Sequence, residues 1–357
     1  MNSSPVKLAI VGLGRWANVL TRAAAKSEKL KIVAGYSRSV EKRDAFQAAT
    51  GVPSTPDMDA ILSDPSIEGV ILTVPNEQHL PMAELVAEAR KHVYTEKPIA
   101  STLADGLQIE DLERKYGITV TVGHSARLMG GIRAIRSAID KGELGRVAFI
   151  ETNFSNHRAL ELTPKTWRWY KDRAPGGPLS QLAIHQFDVL HYLGGQVVEA
   201  SSMSSKLSPV GAEVDDQSMT LLKFADGKIG YVGSCWTSPG VFSVRVFGSA
   251  RLMHYEIDFD TWDTPDELHE KSLLYLQRGK EGYAKREELK VPESDMFRAE
   301  LEMFAQSCRS GESNELNAHN GNVAVATVYA ALKSLDENGQ RIRIADVLSD
   351  VQSKVRF

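Results

Sequence analysis

Cysteine is nearly absent from this chain. Only Cys235 and Cys308 occur in 357 residues, far apart, so no disulfide framework is expected and a reducing cytoplasm is the expected setting. No run approaches the roughly 18 apolar residues of a membrane-spanning helix. Met1 to Lys7 lacks the charged-then-apolar pattern of a secretory signal. Long basic runs are missing too, and the net charge is −4, which argues against nucleic acid as a partner. His254, His269 and His319 have no metal-ligand spacing with one another or with cysteine, so no metal is expected. There is no internal repeat or low-complexity segment.

What remains is ordinary globular composition, 42% hydrophobic and 25% charged, in a chain long enough for two domains with their own cores. The first forty residues are the most legible. Val6 to Val11 is an apolar run of the kind that forms a parallel strand buried on both faces. Gly12-Leu13-Gly14-Arg15-Trp16-Ala17 follows, a G-x-G-x-x-A turn leading into helical spacing at Ala17, Leu20, Ala23 and Ala24. In a dinucleotide-binding fingerprint Gly12 supplies the turn, Gly14 lets the backbone approach a pyrophosphate, and Ala17 permits close helix packing. Arg15 and Trp16 stand in the same turn as further candidates for cofactor contact.

The second strand, Leu30 to Tyr36, ends where such a fingerprint expects an acidic residue for the adenine ribose, about 20 positions on. Ser37-Arg38-Ser39 stands there instead, with Lys42 a helical turn later. A guanidinium without carboxylate repulsion suits a 2′-phosphate, so NADP(H) is the preferred cofactor, with NAD(H) also possible. The alternative is that Arg38 and Lys42 are solvated charges at a helix start.

Further strand candidates are Gly69 to Val74, His92 to Thr95 and Ile118 to Val122, alternating with helical segments, which gives a doubly wound sheet. Thr102 is a candidate cap for the helix that Gly117 ends. Past Gly123 the pattern changes. A helix, Leu128 to Lys141, precedes a strand at Val147 to Ile150, and Asp226-Gly227 between Ser218 to Ala225 and Lys228 to Cys235 signals a hairpin. Val325, Val328, Tyr329, Leu332 and Leu335 mark an amphipathic helix stopped by Asn338-Gly339. The expected class is α/β: an NAD(P)-binding Rossmann domain over 1–127, and over 128–357 an α/β substrate-binding and oligomerisation domain with a large, mostly antiparallel open sheet.

With Thr73-Val74-Pro75-Asn76 and His79, Glu96-Lys97-Pro98, Gly142-Glu143-Leu144-Gly145, and Gly176-Gly177-Pro178-Leu179 leading to His185 and Asp188, the chain resembles the glucose-fructose oxidoreductase and inositol dehydrogenase family (Gfo/Idh/MocA) over nearly its whole length. The resemblance implies that Lys97 is catalytic, that Lys97-Pro98 is cis, and that His185 serves as acid/base. Pro75, Asn76, His79 and Glu96 would line the cofactor side, although Pro75-Asn76 also reads as a plain turn. Many relatives carry Asp-x-Gly-x-His where this chain reads Gln181-Leu182-Ala183-Ile184-His185. Glutamine cannot take a proton, so Gln181 is expected to orient substrate while His185 and Lys97 share the proton chemistry.

Arg127, His157 and Arg168 are candidates for holding a polyhydroxylated or anionic substrate, against the commoner reading of an arginine as surface charge. Trp167, Trp169 and Tyr170 offer a stacking wall or core packing. Asp188 is read as bracing its helix. The resemblance implies NAD(P)-dependent hydride transfer to or from a secondary alcohol or ketone of a sugar, inositol or related polyol. It also admits NAD-assisted glycoside cleavage and a non-catalytic NADP- and sugar-binding regulator. A homodimer or homotetramer built on the open sheet is expected.

Overall fold

The computed structural model describes residues 4–257, 267–279 and 285–353. The chain divides into two compact units.

The first unit runs through Ser125 and includes Asp295–Val323. Its elements alternate as β1 (Val6–Val11), α1 (Arg15–Ala24), β2 (Leu30–Tyr36), α2 (Val40–Thr50), β3 (Ser54–Thr55), α3 (Met58–Leu62), β4 (Gly69–Leu72), α4 (His79–Glu88), β5 (His92–Thr95), α5 (Leu103–Tyr116) and β6 (Val120–Val122). The strands form one parallel sheet in the order β3-β2-β1-β4-β5-β6. That order reverses beside β1, where open α/β sheets bind ligands at the carboxyl ends of their strands. Buried Leu8, Ile10, Val70, Ile71 and Val93 explain why these runs carry few polar residues. Thr102 caps α5 by accepting from Asp105 N at 3.1 Å, and Gly117 ends it in the left-handed region.

The second unit spans Ala126–Ser294 and Ala324–Ser353. It opens with α6 (Gly130–Asp140) and β7 (Val147–Ser155), followed by α7 (Pro178–Gln181) and α8 (Ala183–Gly194). Seven strands follow: β8 (Val197–Ser205), β9 (Gln217–Phe224), β10 (Ile229–Cys235), β11 (Val241–Gly248), β12 (Arg251–Ile257), β13 (Ser272–Arg278) and β14 (Glu287–Leu289), among the described residues. After α9 (Met296–Ser310) and α10 (Ala318–Asp336), β15 (Ile342–Arg343) and α11 (Ile344–Gln352) complete the chain's elements. Among the described residues the sheet has nine strands ordered β14-β13-β12-β11-β7-β10-β9-β8-β15, of which only the neighbours β7 and β10 run parallel. Asp226-Gly227 turns β9 into β10, with Gly227 at φ 90°.

One face of this sheet is core. Phe154 and Phe242 meet edge-on at 5.4 Å, and α8 packs on β7 and β10 with Phe187 and Leu190 fully buried. The other face shows Met203 opposite Met219, then Leu221 and Ile229, all more than half exposed. The compact units are not each one continuous stretch of chain. α9 lies far along the chain yet packs on α1, β1 and β2, so its residues belong to the first unit.

Candidate active site

In the first unit the glycine turn has the geometry of a phosphate site. Gly12 sits at φ 93°, its N–H donating to Tyr36 O at 3.0 Å, and a Cβ there would lie 2.8 Å from Thr73 O. Only glycine satisfies both conditions. Gly14 begins α1 with no side-chain cap and open space around its Cα, and the first turn carries no acidic residue. The amino end of α1 therefore has free amide capacity and a positive dipole end for an anion. These residues fit a dinucleotide. Arg15 lies over the Trp16 ring at 5.9 Å, and Trp16 packs edge-on against Phe297 at 5.6 Å, so the indole is held from below by α9.

Beyond β2 the turn is built by Arg43, which the sequence reading did not single out. Its Nη1 donates to Ser37 O at 2.7 Å and Arg38 O at 3.1 Å. Ser39 caps α2 by accepting from Lys42 N, and the side chains of Arg38 and Lys42 are exposed. The turn thus presents its cations outward with no carboxylate among residues 37–39.

His79 differs from its expected role. It is fully buried, with Nδ1 3.0 Å from Pro98 O and 3.2 Å from Ile99 O, and Nε2 3.1 Å from Val74 O. Burial pushes its pKa down, so the neutral ring donates through one nitrogen at a time. His79 ties the Val74 turn to the Lys97-Pro98 segment and has no exposed surface for a cofactor; Pro75 and Asn76 keep partly or fully exposed positions in that turn.

The Lys97-Pro98 bond is cis. Lys97 stands two residues past the carboxyl end of β5, and its backbone N–H donates to Glu96 Oε2 at 3.3 Å. Burial pushes Glu96 up to about 7 despite the lowering effect of Lys97 beside it. Behind it lie Tyr94 and Glu300, also missed from sequence, since a glutamate on a helix 200 residues away gives no local signal.

In the second unit, Gln181 closes α7, Leu182 interrupts the helix, and His185 follows in the first turn of α8. His185 is 7% exposed and stands edge-on to Phe154 at 5.6 Å. Gln181 is partly exposed, its Nε2 weakly bonded to Ser180 Oγ at 3.4 Å. One turn beyond His185, Asp188 takes Arg127 in a bidentate pair, with Nε to Oδ2 at 2.9 Å and Nη2 to Oδ1. Both residues are buried. This corrects the reading of Arg127 as a substrate ligand, because its fork is spent on Asp188 and its face lies over Tyr192 at 5.3 Å. His157 is exposed and paired with Glu161 at 3.1 Å. Arg168 stacks on Trp167 with its guanidinium carbon 4.1 Å from the ring centre.

Comparison with known proteins agrees with this geometry. Residues 6–124 match the family described as oxidoreductase, NAD-binding Rossmann fold, and residues 132–253 match the GFO/IDH/MocA C-terminal domain. The chain belongs to the Gfo/Idh/MocA oxidoreductases. It is 24% identical to myo-inositol 2-dehydrogenase of Thermotoga maritima, over 96% of this chain and all of that protein. Levoglucosan dehydrogenase of Pseudarthrobacter phenanthrenivorans is 30% identical over 52% of this chain and 54% of its own. Among solved structures, a Desulfitobacterium hafniense protein provisionally described as an NADPH-dependent oxidoreductase superposes with a TM-score of 0.92 at 37% identity, covering 97% of this chain and 99% of its own. A levoglucosan dehydrogenase with NADH shares the fold, with a TM-score of 0.83 at 20% identity over 96% and 99% of the two chains. As a Gfo/Idh/MocA member the chain is an oxidoreductase with an NAD-binding Rossmann unit.

Proposed function

We propose that this enzyme moves a hydride between a nicotinamide dinucleotide, NADP(H) in preference to NAD(H), and a secondary alcohol or ketone of a sugar, inositol or related polyol. The observation that carries the reading is Lys97 at the carboxyl end of β5 in the unit whose uncapped α1 fits a dinucleotide. A lysine there stabilises a developing alkoxide. The bound cofactor supplies the hydride acceptor or donor. His185 takes the hydroxyl proton in oxidation and returns it in reduction, a task suited to imidazole, and Gln181 orients the substrate by hydrogen bonds without accepting a proton. Cofactor preference follows from Arg38 and Lys42 beside Ser37. That relatives are named for inositol, levoglucosan and 1,5-anhydro-D-fructose supports a polyol or sugar substrate.

The exposed apolar row of Met203, Met219, Leu221 and Ile229 supports a homodimer or homotetramer through the open sheet face. Free Cys235 and Cys308 suit the cytoplasm. The test is titration of purified protein with NADPH and NADH by tryptophan fluorescence, then a polyol and keto-sugar panel followed by nicotinamide absorbance. Tighter NADPH binding with turnover of a sugar or polyol supports the proposal. Tight cofactor binding with no net turnover would favour glycoside cleavage or a regulator.

A further inference from the structure

Arg168 lies in the long connection between β7 and α7, which starts where β7 delivers Phe154 to the His185 ring. The connection is pinned at its start by Asn156 N to Cys235 O and Ala159 N to Trp236 O, both 2.8 Å. It carries three arginines: Arg173 lies over the Tyr170 ring at 5.5 Å, and the charges of Arg158 and Arg168 are close enough to repel. Arg168 Nε is buried and meets no hydrogen-bond acceptor. Its guanidinium contact among the described residues is the Trp167 face, and Trp167 is 37% exposed.

Two carboxylates on or beside the connection have other partners. Glu161 accepts from His157 and Glu213 from Lys171 N. Burial and the Arg158 charge push Arg168 down to about 10, which leaves it ionised at neutral pH. A half-buried guanidinium with a buried Nε gains from an anionic partner, because desolvation without one is costly and a cation–π contact on a partly exposed ring compensates only weakly. The Arg168 guanidinium offers the charge and fork geometry that a phosphate or carboxylate uses.

We infer that the substrate is a sugar or polyol bearing an anionic group, a phosphate or a carboxylate, that is held by the Arg168 guanidinium. The inference rests on the sugar dehydrogenase reading and narrows it. It also assigns Arg168 a specificity role distinct from the proton chemistry of Lys97 and His185.

Calorimetric titration of the full-length protein with D-glucose 6-phosphate, D-glucuronate and D-glucose tests it, using wild type, Arg168→Gln and Arg168→Lys. At least one anion should bind tighter than glucose by about tenfold or more, and the difference should shrink with added salt. Whether the phosphate or the uronate is favoured identifies the anionic group. Arg168→Gln should remove that advantage while leaving NADPH affinity unchanged and the fold intact; should it not fold, Arg168→Lys should still lose part of the advantage, because it keeps charge without the fork. Equal affinity for all three compounds, or unchanged anion affinity in both variants, overturns the inference. Net turnover of glucose with no anion preference would overturn it and leave the dehydrogenase reading standing. Arg168-dependent anion binding with no hydride exchange for any compound would uphold the anion site and overturn the dehydrogenase reading.

Discussion

The hydroxyl of Tyr94 donates to Glu300 Oε1 at 2.9 Å, which joins the middle of β5 to α9 in the core of the parallel-sheet unit. A Cβ on Gly123 would lie 2.4 Å from the Tyr94 hydroxyl and 3.4 Å from Glu96 Oε2, so the three polar groups crowd one point beside Lys97. Burial raises both carboxyls, and Glu300 is raised further by the charges of Glu96 and Asp295. Two desolvated carboxyls this close retain protons at pH values where exposed ones have lost them.

A pH dependence follows. Glu96 goes from 4.5 unfolded to about 7 folded, so the native state binds the extra proton. Its contribution to stability is complete below the unfolded value, is lost as pH rises toward the folded value, and is constant above it. Relative to wild type, Glu96→Gln should gain stability as pH rises from about 5 to about 7, by up to about 3 kcal/mol. Urea unfolding of both proteins across that range reads the difference, and parallel curves would refute it.

Removing the brace at His79 should weaken the fold. His79→Ala leaves Val74 O, Pro98 O and Ile99 O without their shared partner and opens a cavity in a fully buried position. A loss of about 2–4 kcal/mol is expected, measured by the denaturation midpoint, with weaker cofactor binding as the turn relaxes.

Breaking the Arg127–Asp188 pair should cost more than deleting it. Asp188→Asn leaves a buried guanidinium without its charge partner, for about 3–5 kcal/mol. Adding Arg127→Met should restore part of that loss. A double mutant no more stable than Asp188→Asn alone would show that Arg127 is stabilised by other contacts.

Cofactor choice is tested at Arg38. Arg38→Ala should weaken NADPH by about tenfold or more and leave NADH within about twofold, because only NADPH carries the additional phosphate. Equal losses for both would assign Arg38 to general electrostatics.

Local chemistry explains which parts of this architecture the sequence revealed. β1, β2 and β5 end where their apolar runs end, and Gly12, Gly117 and Gly227 sit at turns that demand glycine. The run from Gly69 was read to Val74, but Thr73 leaves the ladder, its hydroxyl turning to Gly12 O at 2.6 Å. The two-residue β3 has too little pattern to be seen. Long-range pairings were illegible for a different reason: Tyr94 with Glu300, and Arg127 with Asp188, depend on packing between distant elements. Hence His79 and Arg127, chosen for their chemistry, are internal braces.

Lys97 is the residue on which the account most depends. Once a turning-over polyol or keto-sugar has been found, rapid mixing of that substrate with wild type and Lys97→Met at saturating NADP(H) measures the rate of nicotinamide absorbance change directly. The account predicts a loss of at least about a hundredfold in that rate for Lys97→Met, with cofactor affinity and thermal midpoint preserved. An unchanged rate would contradict the assignment of Lys97 to alkoxide stabilisation and with it the proposed chemistry.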